Sequence, residues 1–263
     1  MSIVRRRFTR AGFAALAFAV LALAAPALAA PTSVDWKELG PGASRATLIA
    51  RDGVTQILLF RFGLDHYRAE VVVGAGWPPR PATAADLCRD RRAIAAVNGG
   101  FFDERRRPLG LRIAQSVVRV PLRPKVDWGV LLLDAAGARI VHSRDFDGHA
   151  SASKAGPSGA IQVGPRLVGD GRALQLKPQR ARRTAVALDR GGGTLTLVVV
   201  DDPIDAGELA EQLAAAGFDS AILLDGGPST QLSLRLGSAK LDLPGGYAVP
   251  DLLTIVERGR ARR

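Results

Sequence analysis

The sequences AIAAVNGGFF at residues 93–102 and AILLDGGPST at residues 221–230 share one layout, in which an apolar run leads into a polar residue and two glycines. The apolar runs at 93–97 and 221–224 predict strands that are buried on both faces, because such strands carry few polar side chains. The polar residue after each run then marks the point where the sheet reaches the surface. Functional side chains are often carried by loops that begin at such points. These two turns are therefore the first candidates for a functional site.

The paired glycines of these turns predict a surface that binds an anion. Glycine adopts positive φ without strain, so consecutive glycines can direct backbone N–H groups outward towards a phosphate or a carboxylate. The alternative is a plain strand connection, because Asn-Gly and Asp-Gly are common in two-residue hairpins. Pro228 and the hydroxyl residues after it make the second turn longer than such a hairpin requires. The candidate substrate-binding residues are the amide, glycine and hydroxyl residues of the two turns: Asn98, Gly99, Gly100, Gly226, Gly227, Ser229 and Thr230.

The N-terminal residues predict an export signal. Arginines at 5–7 precede an apolar stretch at 11–25, and Ala27-Leu28-Ala29 supplies the small residues of a cleavage site. The paired arginines followed by Phe8 also resemble a twin-arginine signal. The apolar stretch is shorter than the roughly 18 residues of a membrane-spanning helix. We therefore expect a periplasmic or secreted protein without a stable membrane anchor after the leader is cleaved.

The expected division of the chain is a signal peptide at 1–29, a folded domain at 31–257 and a basic tail at 258–263. The formal net charge of +11 falls to +7 without the leader, which holds four arginines and no acidic residue. The tail holds four more arginines, which leaves +3 on residues 31–257. Such a mildly basic body does not indicate a nucleic-acid partner. The single cysteine, Cys88, cannot form an internal disulfide.

The hydrophobic periodicity predicts an α+β fold, with a single domain built on a mixed, mostly antiparallel β-sheet and a few helices packed on it. Helices are expected at 84–92, with Thr83 as the N-cap, and at 205–216, with Gly217 as the stop. Alternating residues indicate a three-stranded antiparallel meander near the N-terminus and a glycine-tipped hairpin in the last third. A small and polar stretch at 146–159 predicts a long loop beside a site. Besides the two runs above, strands are predicted at 43–50, 54–62, 67–73, 109–113, 117–120, 129–133, 184–188, 194–200, 231–236 and 252–256.

Four motifs in order along the chain resemble those of the phosphodiester glycosidase family: NGGFF at 98–102, GPRLV at 164–168, RTAV at 183–186 and LDGGPST at 224–230. Their order is more specific than any one of them. The resemblance implies a hydrolase that cleaves the glycosidic bond of sugar-1-phosphodiesters, here in envelope or extracellular glycans. The family's last motif usually reads Asp-Gly-Gly-Gly-Ser, so Pro228 removes one backbone N–H donor from the expected anion site.

The residues of these motifs can support such a reaction. Expulsion of a phosphate monoester needs charge stabilisation more than protonation, and the planar guanidinium of Arg183 suits that task. A carboxylate would activate water or stabilise the oxocarbenium-like centre. Asp225 is the first catalytic candidate, Asp103 the second, and Glu104 a reserve. Two carboxyl groups about 6.5 to 9.5 Å apart would indicate inversion of configuration, and about 5 Å would indicate retention.

Several side chains have two open interpretations. Asn98 would bind a sugar hydroxyl or acetamido group, or would cap its own turn. Phe101 and Phe102 would form the floor of a sugar site, or would pack in the core as most phenylalanines do. The alternative function for the whole chain is a non-catalytic module that binds an anionic polysaccharide. Both functions require a sugar phosphodiester or an anionic glycan as the partner.

Neither a metal nor a cofactor is expected from the sequence. The histidines, His66, His142 and His149, lack metal-ligand spacing, and neither Cys-x-x-Cys nor His-Glu-x-x-His occurs. The chain also lacks the phosphate-loop motif of NTPases and the Gly-x-Ser-x-Gly motif of α/β-hydrolases. These motifs therefore give no support to a zinc enzyme, a nucleotide hydrolase or a serine hydrolase of that fold.

Overall fold

The computed structural model describes residues 33–90, 93–147 and 156–259. The predicted export signal, most of the predicted basic tail and most of the loop predicted at 146–159 lie outside the described residues. Strand accounts for 49% of the structure and helix for 9%. The predicted mostly antiparallel β-structure with few helices is therefore confirmed, and the single domain stays a prediction.

The described residues form eighteen strands. In chain order they are β1 (Lys37–Gly40), β2 (Ala43–Ile49), β3 (Gln56–Gly63), β4 (Tyr67–Val73), β5 (Ala95–Asn98), β6 (Arg112–Ala114), β7 (Val117–Val120), β8 (Gly129–Asp134), β9 (Gly137–His142), β10 (Gly159–Val163), β11 (Arg166–Gly169), β12 (Arg172–Ala173), β13 (Arg180–Leu188), β14 (Thr194–Asp205), β15 (Ser220–Leu223), β16 (Leu232–Leu236), β17 (Ala239–Leu243) and β18 (Asp251–Glu257). The spatial orders of the three sheets are β1-β2-β3-β14-β13-β15-β11-β12, β7-β6-β10-β8-β9 and β17-β16-β5-β18-β4.

The two α-helices of the described residues begin at side chains that cap them. Helix α1 (Ala84–Arg89) begins after Thr83, which exchanges hydrogen bonds with Asp86 in a capping box. Helix α2 (Ala206–Ala215) begins after Asp205, whose carboxylate accepts from two backbone N–H groups. Both helices lie within the predicted ranges. Neither is long and apolar enough to cross a membrane.

The alternation of side chains along β14 explains how one sheet covers two cores. Leu195 and Leu197 point into a central core to which all three sheets contribute. Val198 and Val200 point to the opposite face, where they pack with α2. Strand side chains alternate between the two faces of a sheet, so a strand that is covered on both faces needs apolar residues at successive positions, as β14 has.

The predicted N-terminal meander is wrong at its third strand. Strand β3 pairs with β2 and with β14, whereas β4 pairs with β18 in the third sheet. The partner of β4 comes from the far end of the chain, and a pattern of neighbouring strands carries no information on such a pairing. The prediction also omitted several strands, among them β1, β9, β10, β11, β12 and β17.

Candidate active site

The two glycine turns meet, although they follow strands of different sheets. The backbone N–H of Asp225 donates to the carbonyl oxygen of Gly99 over 3.0 Å. The side-chain amide of Asn98 donates to the carbonyl oxygen of Asp225 over 2.7 Å. These two bonds place the end of β5 against the end of β15 and define one site from segments that are far apart in sequence.

Asn98 is the residue that holds these segments together. Its side chain has no exposed surface. Its Oδ1 accepts from the hydroxyl of Thr184 at 2.7 Å and from the backbone N–H of Gln231 at 3.3 Å. Its Nδ2 donates to the carbonyl oxygens of Asp225 and Gly99. An asparagine has two donor hydrogens and two acceptor positions, and all four are used, so the geometry favours the cap over the sugar contact among the two open interpretations. Asn98 caps and cross-links the turn.

The first glycine turn lies on a buried ion pair. The guanidinium Nε of Arg112 and the Oδ2 of Asp251 are 3.1 Å apart, and both side chains are wholly buried. A Cβ placed on Gly99 would lie 1.8 Å from Asp251 Oδ1, and one placed on Gly100 would lie 2.3 Å from Arg112 Nη2. Only glycine leaves room for this pair. No sequence motif points to this pair, because Arg112 and Asp251 lie singly in strands that are far apart along the chain.

The structure corrects the prediction that the backbone N–H groups of both turns point outward to form an anion-binding surface. Most N–H groups of the two turns already have partners within the protein, because the first turn donates to Asp251 and the second donates to its own residues. The accepting atoms are Asp251 O for Gly99, Asp251 Oδ1 for Gly100, Asp225 Oδ1 for Gly226, Gly226 O for Ser229 and Gly227 O for Thr230. Gly227 borders open space, because a Cβ there would meet nothing within 4 Å. Its φ of +58° is one that glycine adopts freely.

Asp225 presents a partly exposed carboxylate at the centre of the second turn. Its Oδ2 accepts from the hydroxyl of Ser229 at 2.6 Å, and its Oδ1 accepts from the N–H of Gly226 at 2.9 Å. Burial raises the pKa of Asp225, while these two hydrogen bonds act in the opposite direction. Farther charges add smaller effects, since Asp251 raises this pKa and Arg112 lowers it. The result is a carboxylate with a raised pKa, as expected of a group that exchanges protons.

Arg183 lies on β13 beside the second turn. A Cβ placed on Gly226 would be 3.9 Å from its Nη1. The side chain is only 6% exposed, and its Nη2 donates to the carbonyl oxygen of Gln179. Its Nε has no hydrogen-bond partner among the described residues. Burial lowers the pKa of Arg183, and the charge of Asp205 partly offsets this. The structure therefore places a buried cation beside Gly226, the residue after Asp225, and among the described residues its Nε–H has no acceptor.

Asp103, the second predicted acid, is engaged elsewhere. Its carboxylate accepts from the backbone N–H groups of Arg105 and Arg107 and from the Arg107 side chain at 2.7 Å. The hydrogen bonds from Arg107 are the main reason that the pKa of Asp103 is lowered. In the described part of the chain these contacts stay within one turn, and Glu104 is exposed on the same turn. No hydrogen bond between Asp103 and Asp225 occurs among the described residues, and the role of Asp103 as a second catalytic carboxyl group stays a prediction.

Phe101 and Phe102 pack against different hydrophobic clusters. The ring of Phe101 packs edge-on against Trp128, with centroids 5.0 Å apart, and borders the central core. The ring of Phe102 packs edge-on against Tyr247, with centroids 6.0 Å apart. Both phenylalanines are partly exposed. The two interpretations therefore apply in part to each residue, since each packs on a core cluster and also keeps accessible surface.

A third segment, residues 244–250, completes the site and was missed by the sequence analysis. The N–H of Gly246 donates to the carbonyl oxygen of Pro228 at 2.7 Å. The hydroxyl groups of Tyr247 and Ser229 are 3.2 Å apart. The pair Gly245-Gly246 before an aromatic residue was the available signal, because it repeats the glycine pairs of the other two turns. In the residues that the structure describes, no group of three or more His, Cys, Asp or Glu side chains is placed to hold a metal ion.

Comparison with known proteins identifies the class to which this fold and site belong. A family model for phosphodiester glycosidases matches residues 91–256. The chain belongs to the phosphodiester glycosidase family, which confirms the resemblance seen in the motifs. No curated protein sequence matches the chain with significance.

Solved structures share the fold at low sequence identity. The chain is similar to the catalytic domain of zebrafish N-acetylglucosamine-1-phosphodiester α-N-acetylglucosaminidase, auto-inhibited by its pro-peptide, with 19% identity and a TM-score of 0.63. That match covers 86% of this chain and 87% of the zebrafish chain. A hypothetical protein from Synechocystis is 17% identical with a TM-score of 0.60, covering 86% of this chain and 64% of its own. At these identities the likeness shows a common fold.

Proposed function

We propose that the protein is an exported hydrolase that cleaves the glycosidic bond of sugar-1-phosphodiesters in envelope or extracellular glycans. Membership of the phosphodiester glycosidase family supports the reaction class. The zebrafish neighbour is named for action on an N-acetylglucosamine-1-phosphodiester, which supports the chemical class of the substrate. The leader of basic, apolar and small residues supports export.

The observation that carries this proposal is the position of Arg183. Among the described residues the Nε–H of this buried guanidinium has no acceptor, so it can donate to a bound anion in addition to its interaction with the charge of Asp205. Its place beside Gly226 would set a bound phosphate next to the Asp225 carboxylate. Arginine offers paired N–H groups in one plane, which match two phosphate oxygens. The buried hydroxyl of Thr230, which has no hydrogen-bond partner in the part of the chain that the structure describes, is a further donor at the same turn.

The reaction then follows from the two charged groups. Asp225 accepts a proton from water while the water oxygen attacks the anomeric carbon of the sugar. The bond between that carbon and the phosphate oxygen breaks, and its electron pair leaves with the phosphate monoester. Arg183 stabilises the negative charge that grows on this leaving group. The leaving group is a weak base, so the single carboxylate at the centre of the site suffices without Asp103.

The test is the release of free sugar from a panel of sugar-1-phosphodiesters by the purified mature chain. Asp225→Asn keeps the shape of the side chain and removes the base, and we expect at least a 100-fold loss of kcat. Arg183→Ala is expected to reduce kcat/KM to a similar degree. Arg180→Ala is the matched control, because Arg180 lies on the same strand with an exposed side chain. Equal turnover by the wild type and both site variants would overturn the proposal.

A second candidate is a non-catalytic module that binds anionic polysaccharide at the same place. The observation in its favour is that Asp103, the second candidate for the two carboxylates that most glycosidases use, accepts hydrogen bonds from Arg105 and Arg107 of its own turn. Calorimetry separates the two functions. Salt-sensitive glycan binding that is lost in Arg183→Ala and accompanied by no released sugar would favour the binding module.

A further inference from the structure

The loop at 244–250 is fixed on the turn that carries Asp225. Gly246 donates to the carbonyl oxygen of Pro228, and the side-chain amide of Gln231 donates to the carbonyl oxygen of Tyr247 over 3.3 Å. A Cβ on Gly245 would lie 3.2 Å from Pro228 O. Both glycines of the loop therefore allow close contact with the turn. This contact determines where the next residue, Tyr247, can place its ring.

The ring of Tyr247 is held between two partners. Phe102 meets it edge-on at an interplanar angle of 83°. The guanidinium carbon of Arg106 lies 4.7 Å from the Tyr247 centroid and 5.5 Å from the Phe102 centroid. Arg106 also donates to the carbonyl oxygen of Ala248. Cation–π and edge-to-face contacts of this kind restrict the ring, although 37% of the residue remains exposed.

The hydroxyl of Tyr247 is the first member of a chain of hydrogen bonds that ends on Asp225. Ser229 has one hydroxyl proton, and the 2.6 Å contact with the Asp225 carboxylate takes it. The 3.2 Å contact between Tyr247 and Ser229 therefore has the phenol as donor. We propose that Tyr247 is a positioning residue for Asp225 and acts through the hydroxyl of Ser229. The effect of Tyr247 on catalysis rests on the proposed function, whereas the existence of the hydrogen-bond chain is independent of it.

This chain influences both the orientation and the charge of the carboxylate. Burial disfavours the ionised form of Asp225, and the Ser229 hydrogen bond is the largest influence that opposes it. A hydroxyl that accepts a hydrogen bond becomes a stronger donor, so Tyr247 strengthens the bond from Ser229. Other charged groups also face this site and stay in place when Tyr247 is changed. They are Asp251 and Arg112 behind the first turn, Arg183 beside Gly226, and Arg106 on the Tyr247 ring.

The first experiment compares Tyr247→Phe with Tyr67→Phe. The chain has two tyrosines, and the hydroxyl of Tyr67 donates to Pro41 O at 2.9 Å, away from the two glycine turns. With a sugar-1-phosphodiester that the wild type cleaves, Tyr247→Phe should lower kcat about 3- to 10-fold, the effect of one neutral hydrogen bond. The KM should change little. The acid limb of the pH–rate profile should move to higher pH, because the ionised form of Asp225 loses support.

A purely structural role for Tyr247 would leave that acid limb in place, so an unchanged pH profile in Tyr247→Phe overturns the proposal. A matching shift in Tyr67→Phe would also overturn it, because the effect would then be general to the fold.

The second experiment does not depend on turnover. With 13C-labelled tyrosine, the NMR spectrum contains two ring Cζ signals, and Tyr247→Phe identifies the one from Tyr247. We expect the Tyr247 signal to move as the Asp225 carboxyl titrates, and to stop moving in Asp225→Asn. A Tyr247 signal that stays constant while Asp225 titrates would overturn the hydrogen-bond chain. If the wild type shows no turnover, the proposed function fails while this result still decides whether the chain exists.

Discussion

The buried ion pair under the first glycine turn gives a direct prediction on stability. Asp251→Asn removes the negative charge, but the new amide oxygen can still accept from the N–H of Gly100. What is lost is the neutralisation of Arg112, which has no exposed surface. Leaving such a charge without its partner costs about 3–5 kcal/mol of the free energy of unfolding. That is a large part of the roughly 5–15 kcal/mol that a typical domain has.

The assay is equilibrium unfolding in urea, with the wild type and each variant at the same pH. The matched control is Asp219→Asn, because Asp219 pairs at 3.4 Å with Arg190, whose side chain is 91% exposed. Exposed pairs contribute at most about 1 kcal/mol, so this variant should stay close to the wild type. If Asp251→Asn loses no more stability than the control, then Asp251 is not ionised in the folded protein. The argument that the glycines make room for a charged pair would be refuted.

Three further predictions concern the second turn and the protein surface. Burial raises the pKa of Asp225, so a reaction that needs its ionised form should lose rate as the pH falls through that raised pKa. The acid limb of a pH–rate profile measures this pKa, and a limb at or below the unperturbed value of 3.8 would contradict the prediction. Gly226→Ala should reduce kcat at least 10-fold, because its Cβ would lie 2.8 Å from the backbone oxygen of Arg182 and would displace the turn. The free energy of unfolding should fall by less than in Asp251→Asn, and kinetics together with thermal unfolding test both expectations. Asp52 has its pKa lowered from 3.8 to about 2, chiefly by the Thr55 side chain, so its stabilising effect is present above pH 3.8 and is lost as the pH falls towards 2. The difference in unfolding free energy between the wild type and Asp52→Asn should shrink over that window, and a constant difference would contradict the assignment.

Local chemistry in the sequence was sufficient to predict where both helices and the two strands before the glycine turns lie. Thr83 and Asp205 are good N-cap residues, and both helices begin after them. Gly217 ends α2 with a φ of +87°, which glycine adopts freely. The apolar runs before Asn98 and Asp225 form buried strands as predicted. In each case the residues that determine the structure lie within a few positions of one another.

Interactions between distant segments could not be predicted in the same way. The sequence indicates that Asn98 follows a strand, but not that its amide is saturated by Thr184, Gln231 and two carbonyl groups. It shows that Arg112 is charged, but not that Asp251 comes to meet it. Motif order could suggest that the two turns share a site, since order reflects a family. The order of the motifs carries no information on which acceptor each backbone N–H group of the turns would bind.

The local hydrogen bonds of Asp103 have a physical reason that the sequence contains, while its catalytic role stays a prediction. Asp103 is followed by arginines at 105, 106 and 107, and an aspartate at the start of such a turn accepts hydrogen bonds from the N–H groups two and four residues on. The charge of Arg107 then completes its coordination. The Asp103 carboxylate therefore binds residues of its own turn. Arg106 instead lies over the ring of Tyr247.

The most direct test of the central claim is a crystal structure of the protein with inorganic phosphate bound. The account predicts one anion at the second glycine turn, with a phosphate oxygen within hydrogen-bond distance of the Arg183 guanidinium and the carboxylate of Asp225 facing the same cavity. Phosphate that binds away from both turns, with no phosphate oxygen near the Arg183 guanidinium beside Gly226, would contradict it.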